Sequence, residues 1–197
     1  MFTPWGYTVD DYSIPPLMSV SDFDSMTGGK YSGDLRVSQA IEAASQAVRN
    51  ACGWHISPSL SCTAKLTASG KLAKLPAGYV SDVTSLKEDG TSLTDGDYEW
   101  RHDGLIRCCN FRNFSQRWDG LEVEYEAGYD SEAVPDLANA VMGIAEGVLA
   151  VAPGVMSESA DGVSISYSAS AQSVAAALTS QQLAALAPYR LVSTHAA

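Results

Sequence analysis

The sequence predicts an α+β fold: a small helical bundle of two main helices plus short ones, an inserted antiparallel β-meander, and extended terminal arms. Three observations carry this prediction. Apolar residues recur in alternating steps of four and three at Val37, Ile41, Ala44, Val48 and Ala51, and again at Leu137, Val141, Ile144, Val148 and Val151. That rhythm marks one stripe of an α-helix. From about Leu60 to Tyr129 the period changes to two, with small turn residues between the runs. The chain then divides into an N-terminal arm (1–18), a helical part (19–59), the inserted β-meander (60–129), a central helix (130–152) and a C-terminal strand or arm with a short helix (153–197), all within one domain.

Residues 1–18 mix proline, aromatics and acids without a period, which suits an extended arm. Its aromatics call for a surface, either that of a neighbour or that of its own domain. In SVSDFDSMTGG, Ser21 is the expected cap of a short helix, and Gly28 and Gly29 end it. The first main helix follows, with Glu42, Gln46 and Arg49 on its polar side, Gly53 as its stop and Pro58 beyond. LSCTAKLT, GKLAKLP, VSDVTSLKED, DYEWRH, LIRCC and GLEVEYEAGY read as strands. Asp89-Gly90, Asp95-Gly96 and His102-Asp103-Gly104 supply the residues that tight turns need, so neighbouring strands pair antiparallel. NFRNFSQRWDG interrupts the strands as an exposed loop tip. In the last strand Leu121, Val123, Tyr125 and Ala127 alternate with Glu122, Glu124 and Glu126, one face dry and one wet.

Pro135 fits the first turn of the second main helix, with Asp136 at its positive end. After Asp136 the helix carries one charge, Glu146, and its other faces hold Ala138, Ala140, Met142, Gly143, Ala145, Gly147, Leu149 and Ala150. A helix apolar nearly all round is buried nearly all round. Two arrangements satisfy that, a core helix or a helix shared between subunits, and the residues leave both open. Val163, Ile165 and Tyr167 alternate with serines as a strand or arm. Ser180 is the expected cap of a last short helix carrying Leu183, Ala184 and Leu186, which Pro188 ends.

Charge narrows the function. The chain of 197 residues has a net charge of −11, with its carboxylates spread out, so no basic patch for gripping phosphates is expected. No run approaches the roughly 20 apolar residues of a membrane span. MFTPWGYTVDD has neither the basic nor the apolar region of a secretory signal, so a cytoplasmic origin is expected. Cys52, Cys62, Cys108 and Cys109 form no CxxC pair and read as reduced, mostly buried thiols, so neither a disulfide nor a zinc site is expected. TGGKYS lacks the leading glycine and following hydroxyl of a phosphate loop. GxSxG, HExxH and GxGxxG do not occur, and the three histidines have no sequence partners; His55, beside Trp54 after a helix end, reads as a packed residue. No catalytic, cofactor-binding or metal-ligating residue is expected, and no enzyme.

Several stretches in succession resemble a known family. They are VSDFDSMTGG, the helix closing on NACGWHISP, LPAGYVSDVTSLKEDGTSLTDGDYEW with GLIRC behind it, VEYEAGYDSEAVPDLANAV, SESADGVSISYS and LTSQQLAALAPYRL. Their order is similar to that of the head-tail connector, or adaptor, proteins of tailed bacteriophages, over about Ser19 to Leu191. The N-terminal arm and the loop at 110–119 match nothing in that pattern. The resemblance implies a structural virion protein of the neck, assembled in the host cytoplasm. Such a protein forms a ring, commonly of twelve copies, that docks under the portal protein and extends the channel for double-stranded DNA without binding it specifically. It joins the head to a stopper or tail-completion protein. The resemblance also assigns candidate surfaces. Leu137, Val141, Ile144, Ala145, Val148 and Val151 would form the subunit seam. Leu183, Leu186, Tyr189 and Leu191 would meet the portal, and Glu122, Glu124 and Glu126 would face the channel. A stopper or other tail-completion protein is the alternative, and an enzyme or a monomeric binding module without recognisable motif is a more distant one.

Overall fold

The computed structural model describes residues 1–10, 13–109, 112–150, 157–160, 163–166 and 178–191. In chain order the elements are β1 (Tyr7–Val9), α1 (Val20–Met26), α2 (Val37–Cys52), β2 (Leu60–Leu66), β3 (Leu72–Lys74), β4 (Val80–Glu88) and β5 (Thr91–Ser92). Then come β6 (Tyr98–Trp100), β7 (Leu105–Cys108), β8 (Leu121–Ala127), α3 (Pro135–Ala150), β9 (Ser157–Ala160), β10 (Val163–Ser166) and α4 (Ser180–Ala185). The α+β class expected from the two periods is what the chain adopts. It divides into a sheet unit (Met1–Pro15, Cys52–Ala133 and the chain from Tyr189) and a helical unit (Pro16–Ala51 and Val134–Pro188).

In the sheet unit every strand pair is antiparallel. A five-stranded sheet has the order β1-β2-β8-β4-β5, and a smaller one β3-β7-β6. The strand with the cleanest alternation, β8, thus lies at the centre, between β2 and β4. Its Leu121, Val123, Tyr125 and Ala127 are all buried, as are Leu60, Cys62 and Ala64 opposite them. On β4 the buried residues Val80, Val83 and Leu86 stand three apart, which a flat strand would send to alternate faces. Register shifts between Val80 and Asp82 and between Val83 and Ser85 absorb the extra residues, so all three face inward.

The N-terminal arm does not reach out; residues 1–10 fold back on their own sheet. Val9 N donates to Met1 O at 2.8 Å, Thr3 N donates to Tyr7 O at 2.8 Å, and β1 pairs with β2. The reason lies in Tyr7 and Val9, whose alternation fits the inner face, where both are buried. Tyr7 also reaches the turn that follows α2. Its hydroxyl lies 2.7 Å from His55 Nδ1 and accepts from His55 N at 3.1 Å, while His55 Nε2 lies 2.9 Å from Ala127 O. Because Nε2 faces a carbonyl, it carries the proton, and Tyr7 donates to Nδ1. His55 is therefore the packed residue expected, joining β1 to the end of β8 within the sheet unit.

In the helical unit the caps differ from expectation. Ser19, not Ser21, caps α1: its backbone is extended and its side chain accepts from Asp22 N at 3.0 Å. A cap must reach the N–H two or three residues on, which Ser19 does. Likewise Thr179, not Ser180, caps α4, in a reciprocal pair with Gln182. Along α2 the expected stripe is dry at Val37, Ile41, Ala44 and Val48. The buried arc is wider than one stripe, because Ala40, Ser45, Ala47 and Arg49 are buried as well. Arg49 therefore departs from the polar side on which periodicity placed it. Ser45 Oγ accepts from Leu17 N at 3.0 Å, so its hydroxyl is satisfied. Gly53, at φ 82°, stops the helix as expected. Helix α3 begins at Pro135, and β9 and β10 pair as a hairpin.

Candidate functional site

The candidate surfaces come from three elements. On α3, Leu137, Ala140, Val141, Ile144, Ala145 and Leu149 are buried by the chain itself. Val148 is half-buried, and Val151 lies outside the described residues. Asn139, Gly143, Gly147 and Ala150 are exposed along one side. The helix therefore does have a face toward solvent, made after Asn139 of glycine and alanine, which a hydrophobicity pattern does not register as polar. Four of the six seam candidates belong to the chain's own core.

At the C-terminal end, Leu186 is buried and Leu183 is 38 % exposed. Tyr189 and Leu191 are anchored in the sheet unit. Trp54 Nε1 donates to Tyr189 O at 2.7 Å, Leu191 N donates to Cys52 O at 2.9 Å, and the Tyr189 ring meets Tyr129 edge-on at 5.9 Å. Of the four portal-docking candidates, Leu183 alone is open.

The wet face of β8 is not a bare row of acids. Lys87 on β4 donates to Glu122 Oε1 at 3.1 Å and to Glu124 Oε1 at 3.4 Å, and Lys65 on β2 stands 3.8 Å from Glu122. The Glu122 carboxylate first, and Glu124 after it, hold the Lys87 pKa above its ordinary value. Across the sheet, Lys65 and Lys87 are registered with Glu122, whereas Ser61 and Asp82 are registered with Glu126. The face thus grades from neutralised at Glu122 to acidic at Glu126. The sequence signal for the lysines was their parity on β2 and β4, which is usable only once the strands are known to flank β8.

Among the described residues, no group of three or more His, Cys, Asp and Glu is placed to hold a metal. No described helix is long and apolar enough to cross a membrane. Burial pushes the Cys62 thiol up to about 12 and the Cys52 thiol up to about 11, the opposite of an activated nucleophile.

No protein-family model matches the sequence, and no curated protein matches it. Solved structures do. The chain shares its fold with chains of gene transfer agent particles. One belongs to the neck of the native particle computed with C12 symmetry, with a TM-score of 0.59 and 19 % identity over 94 % of this chain and 96 % of that one. Another belongs to the neck of the empty particle computed with C6 symmetry, with a TM-score of 0.60, 19 % identity, and 94 % and 96 % coverage. A third belongs to the native virion, with a TM-score of 0.60, 19 % identity, and 94 % and 95 % coverage.

Within the sheet unit the loop before β8 is firmly held. Arg112 Nη1 contacts Glu88 Oε2 at 2.6 Å, Ser115 N donates to Glu88 Oε1 at 2.6 Å, and Phe114 is buried. Its tip presents Arg117 and Trp118 beside an open hollow of about 370 Å³ that Lys65, Lys87, Asp89 and Glu122 also line. The sequence marked this loop as exposed but did not show its anchor, Glu88, which lies on β4.

Proposed function

We propose that this chain is a structural subunit of a phage-type neck, forming a ring of twelve copies that docks under a portal, extends the DNA channel and joins the head to a stopper or tail-completion protein. The observation that carries the reading is the likeness over 94 % of the chain to neck chains of particles computed with C12 and C6 symmetry. The sequence of motifs from Ser19 to Leu191 supports the adaptor role independently. A ring of this kind needs two different patches on each subunit, meeting head to tail. On α3 the seam runs along the open side at Asn139, Gly143 and Gly147, because the apolar stripe is already taken by the core. Leu183 on α4 is the anchor toward the portal. The acidic end of the sheet face, at Glu126 and Asp82, lines the channel and keeps passing DNA from adhering, because like charges repel within the screening length of roughly 8–10 Å.

Electron microscopy of the protein mixed with portal rings from the particle that encodes it tests this reading. The expected result is an added ring coaxial with the portal, with Glu126 toward the lumen. No added density would overturn the function, and a ring with Glu126 turned outward would overturn the electrostatic role alone.

A further inference from the structure

Trp118 is the most exposed aromatic among the described residues, at 91 %. It is also rigidly presented. Gly120 N donates to Arg117 O at 3.1 Å, closing a turn with Trp118 and Asp119 at its corner, and Asp119 takes φ 54°. Asp119 N donates to Thr67 Oγ1 at 3.1 Å, and Asp89 N donates to Gly120 O at 2.8 Å, so both sides of the turn are tied to the sheet. A preorganised indole with two rotatable bonds loses little entropy on docking. Beside it the Arg117 side chain is 78 % exposed, at 3.8 Å from Asp89.

The helical unit holds a hollow of complementary character. Helix α1 and the segment 31–37 enclose an open space of about 320 Å³. Tyr31 and the half-exposed Val20 supply its open apolar surface, Phe23 and Val37 lie buried beneath them, and Ser21 and Ser32 line it as well. Asp24 and Asp34 stand at its rim, Asp34 already engaged by Arg36 at 2.8 Å. An apolar cavity of about 150 Å³ holds a benzene ring, so this one has room for an indole.

We propose that Trp118 of one copy seats in the α1 hollow of the next, forming a head-to-tail contact of the assembly. This rests on the ring reading and names one of its interfaces. A second copy is the occupant because one chain carries both halves: an indole beside a cation, and an apolar hollow rimmed by carboxylates, with Arg117 meeting Asp24. Around the indole Lys65, Lys87 and Arg117 are balanced by Asp89, Asp119 and Glu122, so this surface lacks the excess positive charge that a nucleic acid's phosphates require. A contact between two unlike patches propagates around a ring and does not stop at a dimer.

The test is chemical cross-linking of the full chain at high concentration, alone and with portal rings, using Trp118→Ala and Ser32→Trp. Both positions are exposed, so unchanged melting temperatures verify folding. Wild type is expected to give a ladder of oligomers. Each variant is expected to lose about tenfold or more of the dimer and higher bands, as a central aromatic anchor does. An equimolar mixture of the two variants should give dimers and nothing larger, since one intact knob and one intact hollow remain. A wild-type ladder that survives Trp118→Ala overturns this contact and leaves the ring standing, with the indole then serving another neck protein. A ladder sensitive to Trp118→Ala but indifferent to Ser32→Trp overturns the hollow as the receptor. A mixture that forms the full ladder overturns the head-to-tail arrangement. No wild-type ladder, even with portal rings, overturns the ring reading as well.

Discussion

At the scale of single residues, the structure turns on a few close approaches. Gly128 follows β8 at φ 117°, and a Cβ there would press on Pro58 O and come within 2.9 Å of His55 Nε2. Both partners belong to the buried turn that holds β1 and β8 together, so neither yields cheaply. Gly128→Ala is expected to cost roughly 3 kcal/mol or more, read from urea unfolding. The reverse case is Tyr125, whose buried hydroxyl has no hydrogen-bond partner among the described residues. An unsatisfied polar atom already bears its desolvation penalty, so Tyr125→Phe should leave stability unchanged or raise it by about 1 kcal/mol. The thiols make a third prediction. Burial lifts Cys62 to about 12 and Cys52 to about 11 from an ordinary value of 9.0. Iodoacetamide at about pH 8 should spare both in the folded chain and label both in urea. In the linked equilibrium, the folded state keeps these protons where the unfolded state has lost them. Their contribution is therefore complete below 9.0 and is lost as pH rises toward 11 and 12, so stability measured across that window should fall.

At the scale of elements, α3 holds the clearest contrast. Ala145 is fully buried, and Glu in its place would bring a charge into a dry face with no partner supplied. Ala145→Glu is expected to cost more than about 4 kcal/mol and to abolish the cooperative unfolding transition seen by circular dichroism. Gly147, two residues on, is exposed with nothing within 4 Å of an added Cβ. Gly147→Ala should stabilise the free chain by about 1 kcal/mol through helix propensity alone, measurable in the same experiment. If the open side of α3 is a seam, the same methyl should weaken assembly while strengthening the subunit. Periodicity found the start of this helix and most of its dry stripe. It missed the wet side, because glycine and alanine carry no polarity for a pattern to detect. The caps show a similar limit: Ser19 and Ser21 are alike in type, as are Thr179 and Ser180, and local backbone geometry selects between them.

At the scale of the whole molecule, the sheet order decides what the surfaces are. Placing β8 between β2 and β4 puts Lys65 and Lys87 on either side of Glu122 and leaves Glu126 beside Ser61 and Asp82. A channel lined by this face would repel DNA chiefly from its Glu126 end, so in the assembled neck Glu126→Lys should raise retention of DNA on the ring more than Glu122→Lys does, as read by gel shift at low salt. By itself the sequence determined the α+β class, the two main helices, the alternation of β8 and the packed role of His55. These follow from residue type and spacing along the chain, which fix periodicity and turn chemistry before any long-range contact forms. Only the tertiary structure decided that β1 folds back on its own sheet, that two bulges turn Val80, Val83 and Leu86 to one face, that Tyr189 and Leu191 are anchored against Trp54 and Cys52, and that Trp118 stands clear on a pinned turn. Each of these depends on which distant segment becomes a neighbour, and that is settled by competition for buried area and hydrogen-bond partners across the chain.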